Sequence, residues 1–395
     1  MKKFLIWPAL AATVGLTAAM LSVPAAEAAP VAAPQPVAAP TIEDVRAFVT
    51  PQVLDAAEAR ADELGIELSP VQAAVLGAIN PDEYECAATP FSNWLNAQLT
   101  GWTTNDLLML LASILTNMPG YASMVNVPDR HPSYGLHGEY TQRLTKTFKD
   151  LKGFWDIDAR KVQMVPMHSS IMGDKAALVK TYRQLFDTDQ ATAEQFSQQY
   201  VDWYRSLVAR FGPNLPVISA NAFAFNPVGD PNPAIAALPR TIVMGDGVLQ
   251  GFDWIQLGKV APQAVLAHEF GHQVQFANGL DEAGLTTPEA TRRIELMADS
   301  FSGYFLGHAK GANLNRRQIR QFGEISYNIG DCGFTSVGHH GTPNQRLHSS
   351  EWGADLATDA RNQRRILPSR NFMARFDAAL PTLVAPDAPA VPAAA

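Results

Sequence analysis

The segment Ala267-His268-Glu269-Phe270-Gly271-His272-Gln273 constrains this chain more than any other. His268 and His272 are four residues apart, and an α-helix stacks residues at that spacing on one face, about 6 Å apart. Two imidazoles so placed can converge on one zinc ion. Glu269 falls about 100° round the same helix, where its carboxylate reaches a metal-activated water rather than the metal. Leu266 and Phe270 are placed to meet apolar neighbours and hold the helix rigid.

Two histidines leave a catalytic zinc one protein ligand short, and Glu295-Leu-Met-Ala-Asp299 supplies a candidate. The stretch Asn278-Gly279-Leu-Asp-Glu-Ala-Gly284 reads as a loop that lets a second helix turn back against the first. Glu295 then completes a His2Glu set with the fourth position left for water. Asp299, one turn further on, is placed to accept a hydrogen bond from the non-ligating nitrogen of a zinc histidine, which fixes its tautomer. Ala298 is small where the two helices approach. The pattern predicts these helices over Pro262–Phe276 and Pro288–Leu306, the second with Thr287 as N-cap and Pro288 at its first position.

Upstream, Val217–Phe225 and Arg240–Met244 read as short strands. Residues 41–120 read as helical. Within them Asp106–Leu115 is too continuously apolar for a surface helix and is expected in the core, ended by Pro119-Gly120. Phe196, Tyr200, Trp203 and Leu207 recur at helical spacing and predict an amphipathic helix over Asp189–Phe211. Pro213 and Pro216 follow and suggest a domain boundary near 211. His131, His137 and His168 have no ligand spacing and read as surface or hydrogen-bonded histidines. The fold class expected is α+β, predominantly helical, with a small sheet.

The N-terminus orders Lys2-Lys3, an apolar run from Phe4 to Val23, and small residues at Ala26 and Ala28. That is the grammar of a secretory signal peptide over 1–28. Residues 29–40 read as an Ala/Pro linker, and 376–395 as a Pro/Ala-rich tail. In an exported chain Cys86 and Cys332 are free to oxidise, and a disulfide between them is expected ahead of two buried thiols. The net charge of −8, with no basic run, argues against nucleic acid as a partner. No stretch after the signal is apolar for long enough to span a bilayer. The chain is expected to be secreted or periplasmic, and its oligomeric state is open.

The pattern resembles the gluzincin type of zincin metallopeptidase, in which HExxH is followed by a glutamate ligand on a second helix. His268-Glu-Phe-Gly-His-Gln-Val-Gln275 with Glu295-Leu-Met-Ala-Asp299 is similar to a bacterial group of neutral zinc metallopeptidases. Asn221-Ala-Phe-Ala224 and Ile242-Val-Met-Gly-Asp-Gly-Val-Leu249 resemble the minimal gluzincins related to membrane CAAX and stress peptidases. The resemblance covers about 215–355. It implies a zincin-like catalytic domain, placed at 211–375, after a helical region of unknown role at 41–210. It implies His268, His272 and Glu295 as Zn(2+) ligands, Glu269 as general base and Asp299 as a supporting acid. Gly341-Thr-Pro-Asn-Gln-Arg346 resembles a segment near the end of the neutral group. Arg346 would there pin the domain through Glu295 or Asp299, or meet a substrate carboxylate.

The expected activity is peptide hydrolysis on a peptide or protein substrate. The donor that steadies the oxyanion is open among His339, His340, His348 and Tyr327, with His340 favoured. An edge strand within 240–247 is expected to align the peptide. A catalytically inactive envelope scaffold and a hydrolase of cell-wall peptides are the alternatives.

Overall fold

The computed structural model describes residues 89–127, 132–280, 288–330, 340–359 and 365–385. The expected signal peptide and linker, Cys86 and Cys332 lie outside the described residues.

The first helices are α1 (Pro90–Gln98), α2 (Thr104–Leu115), α3 (Met118–Val125) and α4 (Thr141–Phe154). Strand β1 (Gln163–Met167) leads to α5 (Lys175–Leu185) and α6 (Gln190–Phe211). Then come β2 (Ala222–Phe225), the short α7 (Pro233–Ala236), β3 (Thr241–Gly245) and α8 (Asp246–Trp254). The C-terminal half is helical: α9 (Ala261–Ala277), α10 (Pro288–Gly307), α11 (Arg316–Asn328), α12 (Pro343–Thr358) and α13 (Ser369–Leu383).

The expected helix at 189–211 is α6, with Asp189 as its N-cap accepting from the Thr192 amide. The expected core helix is α2, opened by a capping box between Thr103 and Asp106. It does not stop at Pro119-Gly120. The break comes earlier, at Asn117, whose φ of 43° turns the chain. Pro119 then sits in the first turn of α3, where its missing N–H has no partner to lose. Among the described residues no single helix is long and apolar enough to cross a membrane.

The sheet has three strands in the order β1-β3-β2. β1 runs parallel to β3, with Val165 opposite Val243, and β2 runs antiparallel to it, with Phe223 opposite Val243. Two expectations are corrected here. The stretch 217–221 is not strand: Pro216–Ser219 is a 3-10 turn that feeds β2. And β3, within 240–247, is the central strand, so neither of its sides can take a peptide. The outer edges belong to β1 and β2.

β1 comes from the stretch before 211, yet it joins the same sheet and the same hydrophobic core as the C-terminal helices. The pair of prolines near 213 therefore marks a turn inside one packed unit. Helix α9 lies against β2 and β3 on one side and against α4 and α10 on others. Gln273 on α9 ties it to the sheet, donating through Nε2 to the carbonyls of Phe225 and Thr241, each at 3.3 Å. α10 in turn packs along α12. The molecule is predominantly helical with a small open sheet, as the sequence predicts.

Candidate metal centre

Helix α9 is buried all round from Ala264 to Gln275, although it carries two histidines, a glutamate and two glutamines. A helix so enclosed must satisfy every polar side chain internally. It meets α10 closely at Gly271, where a Cβ would stand 3.1 Å from the Ala298 Cα. Ala298, expected to be small at this crossing, meets Gly271 there, and the pair lets the two helices bring their functional faces together.

His268 and His272 point their Nε2 atoms at one another, 3.2 Å apart. Glu295 reaches between them from α10, with Oε2 3.3 Å from His268 Nε2 and Oε1 3.0 Å from His272 Nε2. The outer face of each ring is also held. His268 Nδ1 lies 2.9 Å from Asp299 Oδ1, and His272 Nδ1 lies 2.8 Å from Gln275 Oε1.

Arg346 closes the cluster from α12. Its Nε and Nη2 donate to Asp299 Oδ2 and Oδ1 at 2.8 and 2.9 Å, and Nη2 stands 3.3 Å from Glu295 Oε2. The side chain is 2% exposed, so its guanidinium is engaged inside the protein with both expected partners. The segment that carries it is a helix start. Thr342 is the N-cap of α12, Pro343 is its first residue, and Gln345 completes the capping box. Arg346 is thereby aimed from the first turn of α12 at Asp299.

The electrostatics call for positive charge. Burial opposes charge on His268, but Glu295 and Asp299 outweigh it and raise its pKa to about 9. Burial likewise opposes charge on Asp299, yet Arg346 and His268 hold its carboxyl below the usual range. Glu295 and Asp299 bring two carboxylates against His268 in a volume from which water is largely shut out.

The donor set fits zinc. Ligands at 2.0–2.1 Å around a tetrahedral ion stand about 3.3 Å apart. The three contacts between His268, His272 and Glu295 already run from 3.0 to 3.3 Å. Two imidazoles and one carboxylate are a ligand set that zinc accepts. Among the described residues these three form the cluster whose ligand atoms all lie within 4.8 Å of one another.

The other expected site residues fall as follows. Glu269 is buried on α9, one position after His268. His340 is buried at the entry to α12, beside Gly341, at which a Cβ would meet Leu296, Arg292 and Arg346. Of the other donor candidates, His348 and Tyr327 are exposed and His339 lies outside the described residues. His137 is exposed, and His168 pairs with Asp246 away from this cluster. The residue that sequence reasoning missed is Gln275. Its signal was its place three residues after His272, on the same helical face, with both a donor and an acceptor to offer.

HExxH on α9 and ExxxD on α10 form a zincin-type arrangement, and HExxH with Glu295 is the pattern typical of gluzincin peptidases. No family model, curated protein or solved structure matches the chain.

Proposed function

We propose that this protein is a zinc-dependent endopeptidase, similar to the bacterial neutral zinc metallopeptidases. The observation that carries the reading is the convergence of His268, His272 and Glu295 at 3.0–3.3 Å, with Asp299 and Arg346 locked behind them. Zinc held there would lower the pKa of a coordinated water to about 7 and polarise a carbonyl.

The chain's own residues do the rest. Glu269 takes the proton of the attacking water on its carboxylate and hands it to the leaving nitrogen of the scissile bond. Burial keeps that carboxylate in a setting of low dielectric, where proton transfer need not compete with bulk solvent. His340, next to Gly341 and Arg346, is the proposed donor to the developing oxyanion.

The outer edge of β2 aligns the substrate. Gly245 N donates to Asn221 O, so Asn221, Phe223 and Phe225 bond to β3, and Ala222 and Ala224 direct their amides and carbonyls outward. An extended peptide added there would lie on the strand that packs against α9. Export through the 1–28 segment and a Cys86–Cys332 disulfide belong to the same proposal.

The test is elemental analysis of the purified protein beside Glu295→Ala and Glu269→Gln variants. About one zinc per chain is expected in the wild type, with loss or marked weakening in E295A. E269Q should keep its zinc and lose peptide hydrolysis. Zinc undisturbed in E295A would sink the ligand assignment. Zinc with no hydrolysis of any peptide library would move a non-catalytic envelope role to the front.

A further inference from the structure

His268 and His272 are oriented by chemically different partners. Asp299 as a carboxylate can only accept, so His268 Nδ1 carries the hydrogen and Nε2 is the nitrogen kept for a metal. Gln275 is different, because an amide side chain offers an oxygen and an NH2 and by itself would suit either tautomer of His272.

The carbonyl of Ile294 removes that freedom. It can only accept, and Gln275 Nε2 donates to it at 2.8 Å. The NH2 of Gln275 is thereby turned to Ile294, and Oε1 is turned to His272 Nδ1. That oxygen demands a hydrogen on Nδ1, which leaves Nε2 of His272 bare toward His268 and Glu295. Gln275 is 0% exposed, so bulk solvent does not stand in for either bond. Ile294 is the residue immediately before Glu295.

We infer that Gln275 is a positioning residue of the metal centre, with two linked effects. It relays the acceptor character of the Ile294 carbonyl to His272 and so fixes the tautomer that ligates. The same side chain holds α9 against α10 in the register at which Glu295 meets both histidines. The inference rests on the zinc reading above and deepens it. It also explains why a neutral amide stands where a carboxylate would orient the ring equally well. A carboxylate at 275 would accept from His272 but would face the Ile294 carbonyl oxygen with no hydrogen to share.

That difference supplies the experiment. Zinc affinity by chelator competition and the melting temperature of the metal-free full chain are measured for wild type, Gln275→Leu and Gln275→Glu. Q275L removes both bonds, and a loss of about 10- to 100-fold in zinc affinity is expected. Q275E keeps an acceptor for His272 and loses the bond to Ile294. It should melt lower than wild type when metal-free, yet bind zinc at least as tightly. A role confined to bracing the two helices predicts something else: zinc affinity would fall with melting temperature in both variants. That result would overturn the inference, as would Q275L binding zinc like the wild type. If Q275L does not fold, Q275E decides alone. Tight zinc with lowered melting supports the relay, and weakened zinc rejects it. A wild type that takes up no zinc overturns the metal reading and this role with it.

Discussion

Replacing Gly353 with alanine puts a methyl group 2.1 Å from the carbonyl oxygen of Ser300, where ordinary contact begins at 3.4 Å. The helices α10 and α12 run side by side at this point. Gly303 makes the reciprocal approach, with a Cβ there 2.2 Å from Ser350 O. Ser300 Oγ and Ser349 Oγ bond across the seam at 2.8 Å. Because the atom opposite Gly353 is backbone, no side chain can swing away, and α12 must retreat by about 1.3 Å. Overpacking of this kind costs about 1–3 kcal/mol, and the rigid neighbour places Gly353→Ala near the upper end. At roughly 2–4 °C per kcal/mol for domains of 150–250 residues, the melting temperature should fall by roughly 4–12 °C. The effect should also reach the metal centre. Arg346 is on the same helix, and its bonds to Asp299 at 2.8 and 2.9 Å do not survive lengthening by about 1 Å. Zinc affinity should then drop by about 10-fold as His268 loses a firmly held partner. Thermal melting of the metal-free chain and chelator competition measure the two effects. Gly153→Ala is the control: Gly153 is exposed on α4 with nothing within 4 Å of an added Cβ. It should gain about 0.5–1 kcal/mol. A G353A protein that melts and binds zinc like the wild type would refute the argument that this close approach sets the position of Arg346.

Two further outcomes are expected. Arg346→Met takes the guanidinium away from the buried carboxylates of Asp299 and Glu295, which should cost the metal-free protein about 3–5 kcal/mol. Zinc restores positive charge beside them, so the gap in melting temperature between zinc-loaded and metal-free protein should widen in R346M; an unchanged gap would count against the charge argument. His168 hydrogen-bonds to Asp246, and this raises its pKa above the ordinary 6.5 despite partial burial. The pair therefore contributes its full stability below pH 6.5 and loses it as pH rises through the higher folded value. His168→Gln should flatten that part of the melting-versus-pH curve, and parallel curves for the two proteins would reject the link.

The candidate metal ligands were legible because they are local. An i, i+4 pair on a helix, followed by Glu295 and Asp299 on another, fixes most of the geometry before any tertiary contact is known. The helices at 262–276 and 288–306 are found within a residue of those bounds, over Ala261–Ala277 and Pro288–Gly307. What the sequence withheld depends on long-range pairing. β1 contains Pro166, a poor sign for a strand interior, and it is tolerated because β1 is an edge. That hidden strand is what puts β3 at the centre of the sheet and leaves β1 and β2 as its edges. Arg346 was flagged by resemblance, but its aim comes from the capping box of Thr342 and Gln345. That box is readable in Thr-Pro-Asn-Gln once a helix is expected there. Gln275 was hidden for a different reason. Its role depends on the carbonyl of Ile294, and no side-chain pattern reports where a carbonyl points.

Gln345 has a second bond besides its part in the cap: its Nε2 donates to the carbonyl of Val384 at 3.0 Å, just past the end of α13. The last described turn of the chain is thus two links from the guanidinium behind the histidines, since Gln345 and Arg346 are neighbours. Losing that carbonyl would take away the acceptor that steadies the first turn of α12. The end of α13 thus acts on the histidines from outside the two helices that carry them: what loosens Val384 loosens Gln345, then Arg346, then Asp299 behind His268.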